Sequence, residues 1–224
     1  MVTILISGAG TGVGKTRVCA ALARVAAKQG RRVQIVKPFQ TGVTTGELGD
    51  ANVAARLAGL EKNAAHTLRS YPGALAPLAA AKAAGTKFDI KDIFDEIRKL
   101  PYTDLRLVEG AGGIAVPLTD DGLDWSNLAA AINVSAVVLV VADELGAINQ
   151  ARMVYHYFNQ QSEPRDTEKL PCGIFLNAIT SRPPEVAAST REALADCEVP
   201  VWGELAAEAM EPRLNSSLCG LLGL

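Results

Sequence analysis

Val2-Thr-Ile-Leu-Ile-Ser-Gly8-Ala-Gly-Thr11-Gly12-Val13-Gly14-Lys15-Thr16 is the stretch that decides the fold. A β-branched apolar run, Val2–Ser7, reads as a buried strand and leads directly into a loop with glycines at 8, 10, 12 and 14. Such a loop can turn its backbone N–H groups inward around phosphate oxygens, and the helix that follows offers its positive N-terminal end to the same anion. Lys15 can reach terminal phosphates and the Thr16 hydroxyl can ligate Mg²⁺. Residues 16–29 carry Val18, Leu22 and Val25 on one helical face, with Gly30 as a C-cap. The spacing is G-x₅-G-K-T, one residue longer than the common phosphate loop. The front of the loop has no lysine, which counts against the partner-activated switch ATPases.

Further along, short apolar runs alternate with helical stretches. Strands are expected at Arg32–Lys37, Leu105–Glu109, Ala136–Ala142, Gly173–Asn177 and Pro200–Trp202. Several are apolar on both faces, as strands buried between helix layers must be. Helices are expected over residues 74–84, over Ile90–Leu100 behind an Asp89 N-cap, and from Trp125 behind Asp124. Ser162–Lys169 holds a proline and five charged residues and reads as an exposed loop. These elements predict an α/β protein with a mostly parallel central sheet flanked by helices, in a single domain spanning residues 1–224.

The charge balance, 22 basic against 24 acidic residues without blocks, gives no basis for a nucleic-acid or membrane-surface partner. The longest apolar run, Ala136–Ala142, is too short to span a bilayer. Cys19, Cys172, Cys197 and Cys219 form no C-x-x-C pair, so they read as free thiols in a reducing compartment. The expected location is the cytoplasm.

Three polar residues stand where strands end. Glu109, followed by Gly-Ala-Gly-Gly113, is either a magnesium ligand or a solvated strand-end charge, and the close backbone approach that glycines allow favours the ligand. Lys37 is either an ordinary surface lysine or a cation that stabilises a transferring phosphoryl group. Asp50 is either an N-cap or a magnesium ligand, and local sequence favours the cap. Glu144-Leu-Gly-Ala147-Ile148-Asn149 is either a plain helix start or a helix N-terminus that takes a carboxylate.

In combination, Gly8–Thr16, Lys37-Pro-Phe-Gln-Thr41-Gly, Asp50-Ala, Val108-Glu-Gly-Ala-Gly-Gly113, Glu144–Asn149 and Asn177 resemble the dethiobiotin synthetases, ATP-dependent enzymes of biotin biosynthesis. The resemblance spans residues 8–177 in order and continues more weakly to the C-terminus. It implies a P-loop NTPase fold, a homodimer with the substrate site near its interface, and a ligase that joins 7,8-diaminopelargonic acid and CO₂ at the expense of ATP. One amine takes up CO₂ as a carbamate, the carbamate attacks the γ-phosphate to give a carbamic-phosphoric anhydride, and the second amine closes the ring.

By the same resemblance, Thr16, Asp50 and Glu109 hold Mg²⁺, and Lys15 neutralises the β- and γ-phosphates. Lys37 and the Thr41 hydroxyl meet the carbamate and γ-phosphate, and Thr11 donates from the loop. Gly12, Val13, Gly14 and Val18 complete the phosphate-side contacts, Asn177 reads the adenine edge, and Gly203, Glu204 and Leu205 border base and ribose. Gly112 belongs to the substrate site, and Ala147, Ile148 and Asn149 of the partner chain take the substrate carboxylate. Arg191 stands where some relatives carry a carboxylate-binding tyrosine, and is expected to replace it. Gly12, Ala206 and Gln150 depart from common family residues, which removes side-chain contacts and leaves the catalytic set intact.

Overall fold

The computed structural model describes residues 1–44, 46–161 and 169–224. Strand β1 (Val2–Gly8) sits inside an eight-stranded sheet with β2 (Val33–Thr41), β3 (Ala65–Tyr71), β4 (Leu105–Glu109), β5 (Ala136–Ala142), β6 (Cys172–Asn177), β7 (Val201–Leu205) and β8 (Arg213–Leu214). Their order across the sheet is β3-β2-β4-β1-β5-β6-β7-β8, and all pairings are parallel except β7 with β8.

Period-two alternation sorts the core onto two faces. Ile4, Ile6, Leu107, Val138 and Val140 point to one side, where they pack with α1 (Lys15–Lys28), α2 (Asp50–Ala58) and α8 (Ser216–Leu222). Leu5, Val108, Val137, Leu139 and Val141 point to the other. That side is covered by α3 (Pro77–Ala83), α4 (Ile90–Lys99), α5 (Trp125–Ala131), α6 (Ala147–Gln161) and α7 (Pro184–Asp196). The chain runs from β1 to β2 on one side and later to β5 on the other, so strand order reverses at β1. In open parallel sheets, the crevice beyond the strand ends at such a reversal is where ligands bind.

The expected strands are present, with four differences, one of them the short unexpected strand β8 that pairs antiparallel with β7. Strand β2 continues through Pro38 to Thr41. The proline is tolerated because β4 pairs with β2 only as far as Val36, so no β4 ladder bond is lost beyond it. Strand β3 was not expected, because this edge strand is half-exposed and lacks an apolar run. Strand β7 extends past Trp202 to Leu205. Helix α3 begins at Pro77 rather than 74. Asp89 caps α4 as predicted, accepting from Lys91 N at 2.8 Å, and Asp124 caps α5, accepting from Ser126 N at 2.8 Å. The loop expected at Ser162–Lys169 lies, apart from Lys169, outside the described residues.

Trp125 ties this framework to the strand ends. It is fully buried, and its Nε1 donates to the Ala111 carbonyl at 2.9 Å, which pins the glycine segment that follows β4. Trp125→Ala should lower unfolding free energy by about 3–5 kcal/mol in a urea titration.

Candidate active site

Two glycines permit the loop after β1. A Cβ on Gly8 would lie 2.2 Å from the Val140 carbonyl oxygen. Gly14 has φ +88°, and a Cβ there would lie 2.0 Å from Asn177 Nδ2. The loop then closes on itself, with Lys15 Nζ donating to the Gly10 carbonyl at 2.7 Å.

Parallel pairing brings the charged groups together. Val36 of β2 pairs with Val108 of β4, so the next residues, Lys37 and Glu109, stand at one level on adjacent strands. Lys37 Nζ lies 2.7 Å from Glu109 Oε1 and 2.7 Å from Asp50 Oδ2. Thr16 Oγ1 donates to the same Glu109 oxygen at 2.8 Å. Asp50 is held by a contact the sequence did not reveal. Helix α2 has Gly49 as N-cap, which offers no side chain, and Gln40 Oε1 accepts from Asp50 N at 2.7 Å instead. The expected N-cap role of Asp50 is thereby corrected: Asp50 is the first helical residue, and its carboxylate faces Lys37.

Burial sets the electrostatics. Lys37 and Glu109 are 3% and 1% exposed. Burial opposes the charge on Lys37, but the Glu109 and Asp50 carboxylates outweigh it and raise the ammonium above its usual pKa. For Lys15 the same two carboxylates are outweighed. Burial, and then the charge of Lys37, push it down to about 8.

Thr11, Gly12, Lys15, Thr16, Lys37, Thr41, Asp50, Glu109 and Gly112 all line one cavity of about 530 Å³, together with Gly14. The remaining expected site residues lie elsewhere. Val13 is buried, and its carbonyl accepts from Asn177 Nδ2 at 2.9 Å. Val18 is a correction: its side chain is in the core and its N–H is bonded to Gly14 O at 3.0 Å, so it presents nothing to a nucleotide. Glu204, Leu205 and Arg191 line a second cavity of about 690 Å³ beyond β6 and β7, and Gly203 borders a neighbouring pocket. Arg191 Nη1 lies 3.2 Å from Glu204 Oε2 and is not part of the Lys37 cavity. Ala147, Ile148 and Asn149 form the first turn of α6, as the helix-start reading expects, and line neither cavity.

The donor set fits a hard divalent cation. Two carboxylates and a hydroxyl converge, and Glu109 Oε2 is buried without a hydrogen-bond partner. Mg²⁺ characteristically takes one or two carboxylates and completes its shell with water and phosphate oxygens. Among the described residues no group of three His, Cys, Asp or Glu side chains could hold a metal.

Similarity to known proteins agrees with this geometry. A family described as an AAA domain matches residues 2–209. The ATP-dependent dethiobiotin synthetase BioD of Mycobacterium tuberculosis (strain ATCC 25177 / H37Ra) is 38% identical over 200 residues, covering 87% of this chain and 83% of that one. The chain belongs to the dethiobiotin synthetase family. A second member, BioD of Mycobacteroides abscessus, is 34% identical over 237 residues, covering 97% and 99% of the two chains. It is therefore a ligase by kinship. Solved structures share the P-loop NTPase fold. The MinC:MinD cell division protein complex of Aquifex aeolicus gives a TM-score of 0.53 at 15% identity, over 99% of this chain and 85% of that one. The signal recognition particle 54 kDa protein of Aeropyrum pernix K1 gives 0.52 at 17%, over 99% and 46%.

Arg17 is a residue that sequence reasoning missed. It donates to Asn177 Oδ1 at 2.6 Å and to the carbonyls of Ala178 at 2.9 Å, Ala209 at 2.8 Å, and Ala206. The signal was its position, since a cation in the first turn of a helix opposes the macrodipole and needs another reason to be there.

The lowered Lys15 pKa has a measurable consequence. Its folded value of about 8 lies below the unfolded 10.5, so between these values the unfolded chain binds the extra proton. Stability of the ligand-free protein should rise with pH across that window through Lys15, by roughly 3 kcal/mol. Lys15→Met should flatten the rise, as read from urea midpoints at a series of pH values.

Proposed function

We propose that the chain is a working ATP-dependent dethiobiotin synthetase of biotin biosynthesis, converting 7,8-diaminopelargonic acid, CO₂ and ATP into dethiobiotin, ADP and phosphate. The observation that carries this reading is Lys37, held between Glu109 and Asp50 at 2.7 Å beside Lys15 and Thr16. A phosphate loop alone binds nucleotide. A second buried lysine from a different strand supplies a cation for an acceptor that is itself an anion, as a carbamate is.

On this reading the terminal phosphates rest on the N–H groups of Gly12–Lys15, with Lys15 neutralising them. Thr16, Asp50 and Glu109 hold Mg²⁺, which when bound offsets phosphate charge. Lys37 and the Thr41 hydroxyl align the carbamate oxygen with the γ-phosphorus, and Thr11 donates from the opposite rim. Attack forms the carbamic-phosphoric anhydride and releases ADP. The second amine then attacks the carbonyl carbon, forms the ring C–N bond and expels phosphate. Alignment and charge neutralisation are enough for this sequence, and no side chain needs to act as a covalent nucleophile.

An apolar groove supports a substrate with an aliphatic tail. Ile114, Val154 and Tyr157 line it, and it shares Thr11, Gly112 and Val116 with the Lys37 cavity. Near it Leu145, Ile148 and Met153 are exposed, which suits a homodimer interface. The α6 turn of a second copy, with Ala147, Ile148 and Asn149, would meet the tail carboxylate through its N–H groups. We favour that turn over Arg191, whose guanidinium is already engaged by Glu204. The four free cysteines suit a cytoplasmic setting.

Phosphate release from Mg-ATP should require both diaminopelargonic acid and bicarbonate, and Lys37→Ala should lower kcat by roughly 100- to 1000-fold. Release indifferent to the two cosubstrates would contradict the assignment.

A further inference from the structure

The phosphate chemistry makes no use of Arg17. Its guanidinium gathers four oxygens from two segments: Asn177 Oδ1 and Ala178 O at the end of β6, and the carbonyls of Ala206 and Ala209 beyond β7. The Asn177 carboxamide spends its nitrogen on the Val13 carbonyl at 2.9 Å and is 1% exposed. Four acceptors at this corner are thus held by one planar cation.

The corner's place relative to the phosphate loop gives it meaning. Lys37, Asp50 and Glu109 occupy the terminal-phosphate side. A nucleotide lying on the loop must therefore extend its sugar and base the other way, over the first turn of α1. The second cavity, with Ala178, Leu205 and Ala206 in its wall, opens on that side. Arg17 reaches from the first turn of α1 to two residues of that wall, Ala178 and Ala206.

A 6-amino purine edge is a donor and needs an acceptor. A guanidinium has five N–H groups and no acceptor, and here it also occupies the carbonyls that could have served. With its four Nη hydrogens spent on these oxygens, the guanidinium keeps its Nε–H and its positive charge, both of which suit the acceptor that a 6-oxo edge presents. We propose that Arg17 is a specificity-determining residue that removes the usual advantage of adenine, so that 6-oxopurine nucleoside triphosphates serve at least as well as ATP. This rests on the nucleotide-dependent function proposed above.

Phosphate release with saturating diaminopelargonic acid and bicarbonate tests it, with ATP compared against inosine triphosphate, which carries oxo in place of amino at position 6. The wild-type protein should show a kcat/KM for inosine triphosphate equal to or above that for ATP. Arg17→Val, by freeing the carbonyls, should move the ratio toward ATP by about tenfold or more, the worth of one charge-assisted hydrogen bond. Wild-type protein that favours ATP tenfold overturns the assignment, whether or not the variant folds. So does a ratio that Arg17→Val leaves unchanged. Release from neither nucleotide by the wild type would instead bring down the functional reading, and this inference with it.

Discussion

The Lys37 ammonium, placed between Glu109 and Asp50 with its side chain only 4% exposed, is the constraint on which the arrangement of this molecule depends. Taking such a charge out of water costs several kcal/mol, and the cost is offset only if both carboxylates arrive with good geometry. That requirement reaches outward. Strands β2 and β4 must be neighbours in the register that sets Val36 against Val108, and α2 must begin where Gln40 can receive its first N–H. Trp125 must hold the segment after Glu109, and Thr16 must bring α1 to the same carboxylate. The packing of two strands and two helices thus fixes the positions of four polar atoms, Lys37 Nζ, Asp50 Oδ2, Glu109 Oε1 and Thr16 Oγ1.

The four charges at this point, Lys15 and Lys37 against Asp50 and Glu109, balance one another. Their individual settings differ. Lys37 has two carboxylate partners and is held charged, whereas Lys15 bonds a carbonyl and is pushed toward neutrality. On the proposed reading, an incoming phosphate would add to Lys15 an anion closer than Glu109 and Asp50, which are paired with Lys37. The unpaired Glu109 Oε2 is the complementary acceptor for a cation. On the other side of the loop, Arg17 joins α1 to β6 and the segment after β7.

Much of this was legible in the sequence because its signals are local. Glycines next to a lysine and a threonine declare a phosphate loop, and the unbroken apolar run of β5 declares a strand covered on both faces. What was not legible depended on partners distant in the chain. Asp50 resembles a cap until Gln40, ten residues earlier, is seen to provide the capping oxygen. Strand β3 has no apolar run of its own and exists because β2 offers it a ladder. Arg191 looks available for a carboxylate until Glu204 is found beside it, and Val18, adjacent to the loop in sequence, faces inward because the helical period turns it to the core. Arg17 was overlooked because its four partners lie 160 or more residues away.

If, as proposed, Lys37 aligns a carbamate oxygen for attack on the γ-phosphorus, an isotope experiment follows that oxygen directly. With ¹⁸O-labelled bicarbonate, the oxygen that bridges carbon and phosphorus in the anhydride departs with phosphate at ring closure. One ¹⁸O should appear in each phosphate released, measured by mass spectrometry in turnovers fast compared with label exchange into water. Phosphate free of label, formed together with dethiobiotin, would contradict the carbamate route and the role assigned to Lys37.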